Sequence, residues 1–229
     1  MPEYYLTITL HSDATFGRGE GVAGLVDVEI EHDQHGLPYI SGRTLKGLLV
    51  EECANLRYAV DGKLRATSTG QPTLDELAAW LFGVSGATRG DSLGLLHIGA
   101  AGLPPDLRTA ILAERRLTPQ QVLASLTTIR RQTSIDAQDG APEAASLRTM
   151  RALVRGTTLL ARLDFAQAPD EHALALLAAC ALGVRRGGSG RNRGRGRLSM
   201  LLHPAIPDDY GDATFTQACF KRFATEVQP

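Results

Sequence analysis

The sequence is poor in aromatic residues and in cysteine. Aromatic residues make up only 5% of the 229 residues, which argues against a protein that reads nucleic-acid bases mainly by stacking them on Phe or Tyr. The three cysteines, Cys53, Cys180 and Cys219, are odd in number and far apart, so they predict neither a disulfide framework nor a zinc site. We expect small core residues in a reducing compartment.

Several functional patterns are also missing from the sequence. No apolar run is long enough to cross a membrane, and no charged-then-apolar leader follows Met1. There is no G-x-x-x-x-G-K-[ST] loop for nucleotide phosphates and no arrangement that suggests a serine-histidine-acid triad. We therefore expect a soluble, cytoplasmic protein without a membrane partner, and neither nucleotide hydrolysis nor zinc chemistry.

Positive charge is concentrated in one glycine-rich stretch, 183–198, although the formal net charge of the chain is only -1. Guanidinium groups bind phosphate through paired N–H donors, and glycine lets the main chain approach a ligand closely. A disordered Arg-Gly segment is the alternative, but a predicted helix (171–182) and a predicted strand (198–202) anchor both ends. We therefore predict a folded loop that faces phosphate. Its polar members are Arg185, Arg186, Ser189, Arg191, Asn192, Arg193, Arg195 and Arg197.

The periodicity of the chain predicts an α+β fold. Alternating apolar residues indicate strands at 4–10, 93–100, 157–165 and 198–202, and apolar faces indicate helices at 44–60 and 171–182. The order strand, helix, strand, strand, helix, strand is the ferredoxin-like split βαβ plan that RNA-recognition sheets share. We expect one domain over 1–229, with insertions at about 61–92 and 127–156.

Other segments have less regular patterns. Residues 25–31 alternate as a strand would, with an acidic face that contains Asp27 and Glu29. The predicted helix 44–60 begins beside Arg43 and Lys46, and helix starts favour phosphate. Residues 127–155 are polar and poorly periodic, with Arg130 and Arg131 near their start, and a long irregular stretch of this kind is usually functional.

Four segments resemble, in order, the motifs of the RAMP superfamily of CRISPR-associated proteins, especially the backbone subunits of type III effector complexes. They are G-L-P-Y-I-S-G-R-T-L-K-G at 36–47, L-F-G at 81–83, S-I-D-A-Q-D-G-A at 134–141 with V-R-G-T at 154–157, and G-G-S-G-R-N-R-G-R-G-R-L at 187–198. The resemblance covers nearly the whole chain, and its first and last segments are the most specific.

The resemblance implies a guide-RNA-binding subunit. The glycine-rich loop and the start of the first helix would hold the backbone of the guide, and a thumb containing Ile135 and Asp136 would press on the duplex of guide and target RNA. Base pairing within the guide would then select the sequence. The implied partners are guide RNA, target RNA and other CRISPR effector subunits in a head-to-tail oligomer. The implied RNA contacts are Arg43, Lys46, Arg130, Arg131, and the eight loop residues given above.

The resemblance also implies a catalytic aspartate. Type III backbone subunits carry an acid six positions before a second aspartate, and Asp27 and Asp33 have this spacing. Asp27 would act as a base or as a ligand of Mg²⁺ or another divalent cation in an endoribonuclease. A structural subunit that binds guide RNA without cutting is the alternative. Near Asp33, His32 and His35 favour a polar turn over a metal site, and His97 is expected to be a core residue.

Overall fold

The computed structural model describes residues 3–60, 72–84, 94–133 and 146–227. Strands and helices are interspersed along these ranges. The strands are β1 (Tyr4–Leu10), β2 (Leu96–Ile98), β3 (Thr127–Gln132), β4 (Arg148–Leu153), β5 (Thr158–Phe165) and β6 (Leu198–His203). The helices are α1 (Gly42–Val60), α2 (Leu74–Phe82), α3 (Pro105–Ala113), α4 (Pro119–Leu126), α5 (Glu171–Gly183) and α6 (Thr214–Val227).

The main sheet has four antiparallel strands in the order β2-β5-β1-β6. The first and third strands of the predicted plan, β1 and β5, lie in the centre of the sheet. This order confirms the predicted α+β, ferredoxin-like fold. The arginine-rich stretch lies between α5 and the edge strand β6, as the sequence predicted.

Helices cover one face of the sheet. The residues of β1 that point to this face, Leu6, Ile8 and Leu10, are at most 1% exposed, as expected from alternation along a strand. Helix α5 packs against α1, α2 and α6, and its apolar residues are buried all round. Helix α1 buries only one stripe, which includes Leu45 and Leu49. Its opposite side remains free to carry functional residues.

A second, two-stranded sheet corrects the interpretation of 127–155 as irregular. Strands β3 and β4 pair antiparallel from Thr127–Leu153 to Gln132–Arg148. The far side of β4 is bridged by Ala14 and Val28, which are distant in the sequence. Pairing with these distant segments stabilises β4 as a strand although its own sequence is poorly periodic. The predicted thumb residues Ile135 and Asp136 lie outside the described residues.

Other elements also differ from the sequence-based expectations. Residues 25–31 form isolated bridges to three different segments instead of a strand. His97 is exposed because Leu96 and Ile98, its neighbours in β2, take the buried face. Helix α6 was not predicted. It packs on α5, and Thr216 binds the main chain of Leu202 in β6 at 2.8 Å through both N–H and C=O.

Candidate nucleic-acid interface

The arginine loop, defined here as 184–197, is folded back on itself and fixed to the segment after β1. The N–H of Ser189 donates to the carbonyl of Thr15 at 2.8 Å, and the N–H of Gly196 donates to the carbonyl of Asp13 at 2.9 Å. Within the loop, the N–H of Gly187 donates to the carbonyl of Gly196 at 2.9 Å. These main-chain bonds give the loop a defined shape.

Two glycines make this shape possible. Gly188 has a φ of +79°, and a Cβ at this position would lie 2.5 Å from the carbonyl oxygen of Thr15. Gly196 has a φ of +67°, and its Cβ would lie 1.9 Å from the carbonyl oxygen of Gly187. Any other residue would be strained and would also push the loop off its support. The glycine spacing therefore positions the arginines.

Three arginines of the loop are held by other groups. Arg191 donates both Nη atoms to the Glu51 carboxylate, at 2.8 and 2.9 Å, and the hydrogen bond from Arg191 lowers the pKa of Glu51. Arg186 donates to the carbonyl of Arg191 at 2.8 Å. Arg195 donates to the Met150 sulfur at 3.1 Å, which ties the loop to β4.

The remaining arginines of the loop, Arg185, Arg193 and Arg197, are exposed. The side chains of Ser189 and Asn192 are exposed as well. Exposed guanidinium groups on a fixed main chain can bind phosphate, and here they would give up no side-chain partner among the described residues. The loop therefore combines arginines that shape it with arginines that are free to bind.

The start of α1 carries further positive charge. Arg43 is exposed and Lys46 is partly exposed, and the Ser41 hydroxyl accepts a hydrogen bond from the N–H of Thr44 at 3.4 Å. Arg43 and Glu51 are eight residues apart, so they share a helix face about 12 Å apart. Because Arg191 docks on Glu51, the arginine loop is fixed to the same helix that carries Arg43 and Lys46.

The β3–β4 hairpin extends this positive surface. Arg130 lies opposite Met150, whose sulfur contacts Arg195, so both arginines occupy one face of the hairpin. Arg130 Nε donates to Asp13 at 3.0 Å. Burial raises the pKa of Asp13, but the hydrogen bonds from Arg130 and from the N–H of Arg155 outweigh it, and the pKa falls. Arg131 is exposed on the opposite face.

Asp27 lies at the edge of β4 with an exposed carboxylate. Its Oδ2 accepts hydrogen bonds from the N–H of Thr149 at 2.6 Å and from the Thr149 hydroxyl at 3.0 Å. These bonds, first the one from the N–H, lower the pKa of Asp27. A carboxylate with a lowered pKa is a weak proton acceptor but remains a good oxygen ligand for a hard cation.

No group of three or more His, Cys, Asp or Glu that could hold a metal occurs in the described parts of the chain. A cation at Asp27 would thus depend on other oxygens. Mg²⁺ is commonly bound by one or two carboxylates together with waters and phosphate oxygens, so Asp27 with a bound RNA fits this ion, whereas the protein alone does not.

The acids near Asp27 have structural roles. Glu29 is 1% exposed and accepts from Arg151 Nε at 2.8 Å, forming a buried ion pair. The Asp33 carboxylate accepts from the N–H groups of His35 and Leu37, at 2.9 and 3.0 Å, so the polar-turn interpretation is confirmed. Only Asp27 among these three combines exposure with a position beside the arginines of the hairpin.

Sequence reasoning missed the acidic partners of the interface. A pocket of about 340 Å³ lies between α1, the end of α5 and the arginine loop, and Glu51 and Glu52 line it together with Arg185, Arg186, Arg191 and Asn192. The contact between Glu51 and Arg191 joins residues 140 positions apart. The sequence offered one signal for this acidic partner: Glu51 follows Arg43 by eight residues, or about two turns of the predicted helix.

Comparison with known proteins agrees with the fold. The RAMP superfamily matches residues 7–199. A chain of the type III-B Cmr-beta complex bound to cognate target RNA, solved by cryo-EM, has a similar structure, with a TM-score of 0.61 and 12% identity over 87% of this chain and 96% of that one. A chain of Cmr-beta in the apo state has a TM-score of 0.60 and 12% identity, over 90% and 98%.

No curated protein matches the chain. Among the described helices, none is long and apolar enough to cross a membrane.

Proposed function

This chain belongs to the RAMP superfamily, and we propose that it is a guide-RNA-binding subunit of a type III CRISPR effector complex. The observation that carries the proposal is the set of positive groups on the arginine loop, the start of α1 and the β3–β4 hairpin, three elements that the Arg191–Glu51 and Arg195–Met150 contacts join. Two solved chains of similar fold come from type III-B Cmr-beta complexes, one of them bound to cognate target RNA.

The geometry favours recognition of the RNA backbone. The exposed groups of the surface are guanidinium and ammonium groups and a helix start, all of which suit phosphate whatever the base sequence. Guide RNA would lie along this surface, and target RNA would be selected by pairing with the guide. One chain covers only a few nucleotides, so we propose a head-to-tail oligomer with other effector subunits.

We further propose that the subunit cleaves the paired target RNA and that Asp27 is the residue needed for cleavage. The lowered pKa of Asp27 makes the charged carboxylate the working form, so the role of cation ligand is favoured over that of general base. Mg²⁺ held there would stabilise negative charge on the phosphate. Thr149 fixes the orientation of the carboxylate through two hydrogen bonds to Oδ2.

The bond between Asp27 and Thr149 also supports the second candidate, a subunit that binds guide RNA without cutting. In that case Asp27 only fastens the irregular segment 25–31 to the edge of β4. Both candidate functions imply the same contacts with the guide RNA. They differ in whether the subunit cuts RNA, which would require the charge of Asp27.

The complex reconstituted with guide RNA and its partner subunits tests both candidates. With Mg²⁺ we expect a complementary RNA to be cut at regular intervals, and with EDTA we expect it to stay intact but bound. Guide binding without cutting by the complete complex would select the structural subunit. A chain that stays monomeric in light scattering with guide RNA and all partners present would contradict the head-to-tail assembly.

A further inference from the structure

The tip of the arginine loop, defined here as 190–195, lies between two main-chain anchors. The N–H groups of Ser189 and Gly196, on either side of the tip, both donate to the segment after β1. The tip also contacts α1 through the ion pair of Arg191 and Glu51. Because the two anchors are main-chain hydrogen bonds, they do not depend on this ion pair. The loop can therefore keep its shape when Arg191 leaves Glu51.

The ion pair lies at the surface of the protein. The side chains of Arg191 and Glu51 are 43% and 51% exposed, and exposed ion pairs contribute little to the stability of a fold. Dissolved ions reach both groups, so salt weakens the attraction between them. An anion from solution can therefore approach the guanidinium group of Arg191 without any part of the fold opening.

The contact between the two side chains has the geometry of an anion site. Arg191 donates both Nη atoms to the carboxylate, at 2.8 and 2.9 Å, and the same paired donors fit two oxygens of a phosphate. Arg185 and Arg186 line the same pocket of about 340 Å³ as Arg191 and Glu51. In a pocket lined by three arginines, the carboxylate of Glu51 thus occupies the donors of Arg191 that a phosphate would use.

We propose that Glu51 competes with RNA for Arg191: it holds the guanidinium group in the free chain, and a phosphate of the bound RNA displaces it. Glu51 has the advantage in the free chain because it is fixed beside Arg191. A strand of RNA engages Arg185 and Arg193 at the same time, and several linked contacts outcompete a single one. The proposal rests on the proposed RNA-binding function and adds an autoinhibitory contact to it. It involves phosphate alone, so binding stays independent of base sequence.

Binding of single-stranded RNA to the variant Glu51→Gln, measured by fluorescence anisotropy, tests this competition. Glutamine keeps the size of the side chain but removes the charge that holds Arg191. We expect about fivefold tighter binding, the upper end of what an exposed ion pair contributes, because this pair is bidentate. Glu51→Ala removes both oxygens and should also bind RNA more tightly. If the pair served only to anchor the loop, both variants would bind RNA more weakly.

A double-mutant cycle assigns the gain to Arg191. In the Glu51→Gln background, Arg191→Ala should weaken binding by about fivefold at about 0.1 M salt, since one phosphate contact on a single strand adds roughly 0.7 to the salt slope. In the wild-type chain the same replacement should cost much less. The matched control is Glu171→Gln, which breaks the exposed pair of Glu171 with Arg222 at the end of α5 farther from the arginine loop. It changes the net charge equally and should leave RNA binding unchanged.

The possible failures have different meanings. Unchanged or weaker binding by Glu51→Gln would show that the ion pair does not withhold Arg191 from RNA. A gain that persists after Arg191→Ala, or that Glu171→Gln reproduces, would show a general effect of charge instead. Either result overturns this inference and leaves the RNA-binding function standing. If no variant binds RNA even at low salt, the proposed function itself is wrong.

Discussion

Removing Arg193 and Arg197 should weaken RNA binding without disturbing the arginine loop. Both side chains are exposed, and neither forms a salt bridge with a described residue. Their contribution to the loop comes from the main chain, because the N–H of Arg193 donates to Gly190 and the N–H of Arg197 donates to Ser12. Replacement of both by alanine therefore keeps these bonds and removes only two charges.

The magnitude follows from counterion release. Each phosphate contact on a single strand contributes roughly 0.7 to the slope of log affinity against log salt. Two lost contacts lower the slope by about 1.4, which corresponds to about 25-fold weaker binding at 0.1 M salt if affinities at 1 M are equal. Preference among RNA sequences should hardly change, because phosphates carry no sequence information.

Fluorescence anisotropy with single-stranded RNA over a series of salt concentrations measures this slope. The matched control is the double replacement of Arg115 and Arg116 by alanine, since these two arginines are also exposed but lie between α3 and α4. An unchanged slope in the loop variant, or an equal loss in the control, would show that the loop does not face the RNA backbone.

Three other changes test single residues. Asp27→Asn should leave guide and target binding unchanged and slow cleavage by about 100-fold or more, as measured by RNA gel assays, whereas Glu20→Gln should cut normally. Glu29→Gln should lower the free energy of unfolding by about 3–5 kcal/mol in denaturant titrations, because it leaves Arg151 buried without its partner; a loss under 1 kcal/mol would contradict this. Burial lowers the pKa of His203, so the unfolded chain binds a proton more readily; stability should fall as the pH drops below about 6.5. A melting temperature that is constant from pH 7.5 to 5.5 would refute that assignment.

The core sheet was predictable because its signals are local. Apolar residues alternate with threonine from Leu6 to Leu10 in β1 and recur at every second position from Leu159 to Phe165 in β5. Helix α5 is apolar from Ala173 to Leu182, so the sequence of each element indicates its environment. The position of the arginine loop between two such elements followed directly. The docking of the loop on segment 13–15 could not be predicted, because the glycines fix only the local conformation and this segment is distant in the sequence.

The hairpin and the buried ion pair could not be predicted in the same way. Strand β3 reads Thr-Thr-Ile-Arg-Arg-Gln, which has no buried face of its own beyond Thr127. Its partner β4 is buried because Ala14 and Val28 cover its other edge. Glu29 similarly looks like a solvated acid until Arg151, which is 122 residues away, is brought beside it. Interactions of this kind depend on tertiary structure, and no local pattern encodes them.

The arginine loop illustrates how a basic segment can be ordered before it meets RNA. A free Arg-Gly segment would lose backbone entropy on binding, about 1–2 kcal/mol for each residue fixed. Here the bonds of Ser189 and Gly196 to the segment after β1 fix the main chain in advance. Arg191 is already paired with Glu51, so the charge left for RNA is concentrated in the exposed arginines. The fold thus bears the entropic cost of ordering the main chain, and the exposed guanidinium groups supply the affinity for the RNA that we propose as the ligand.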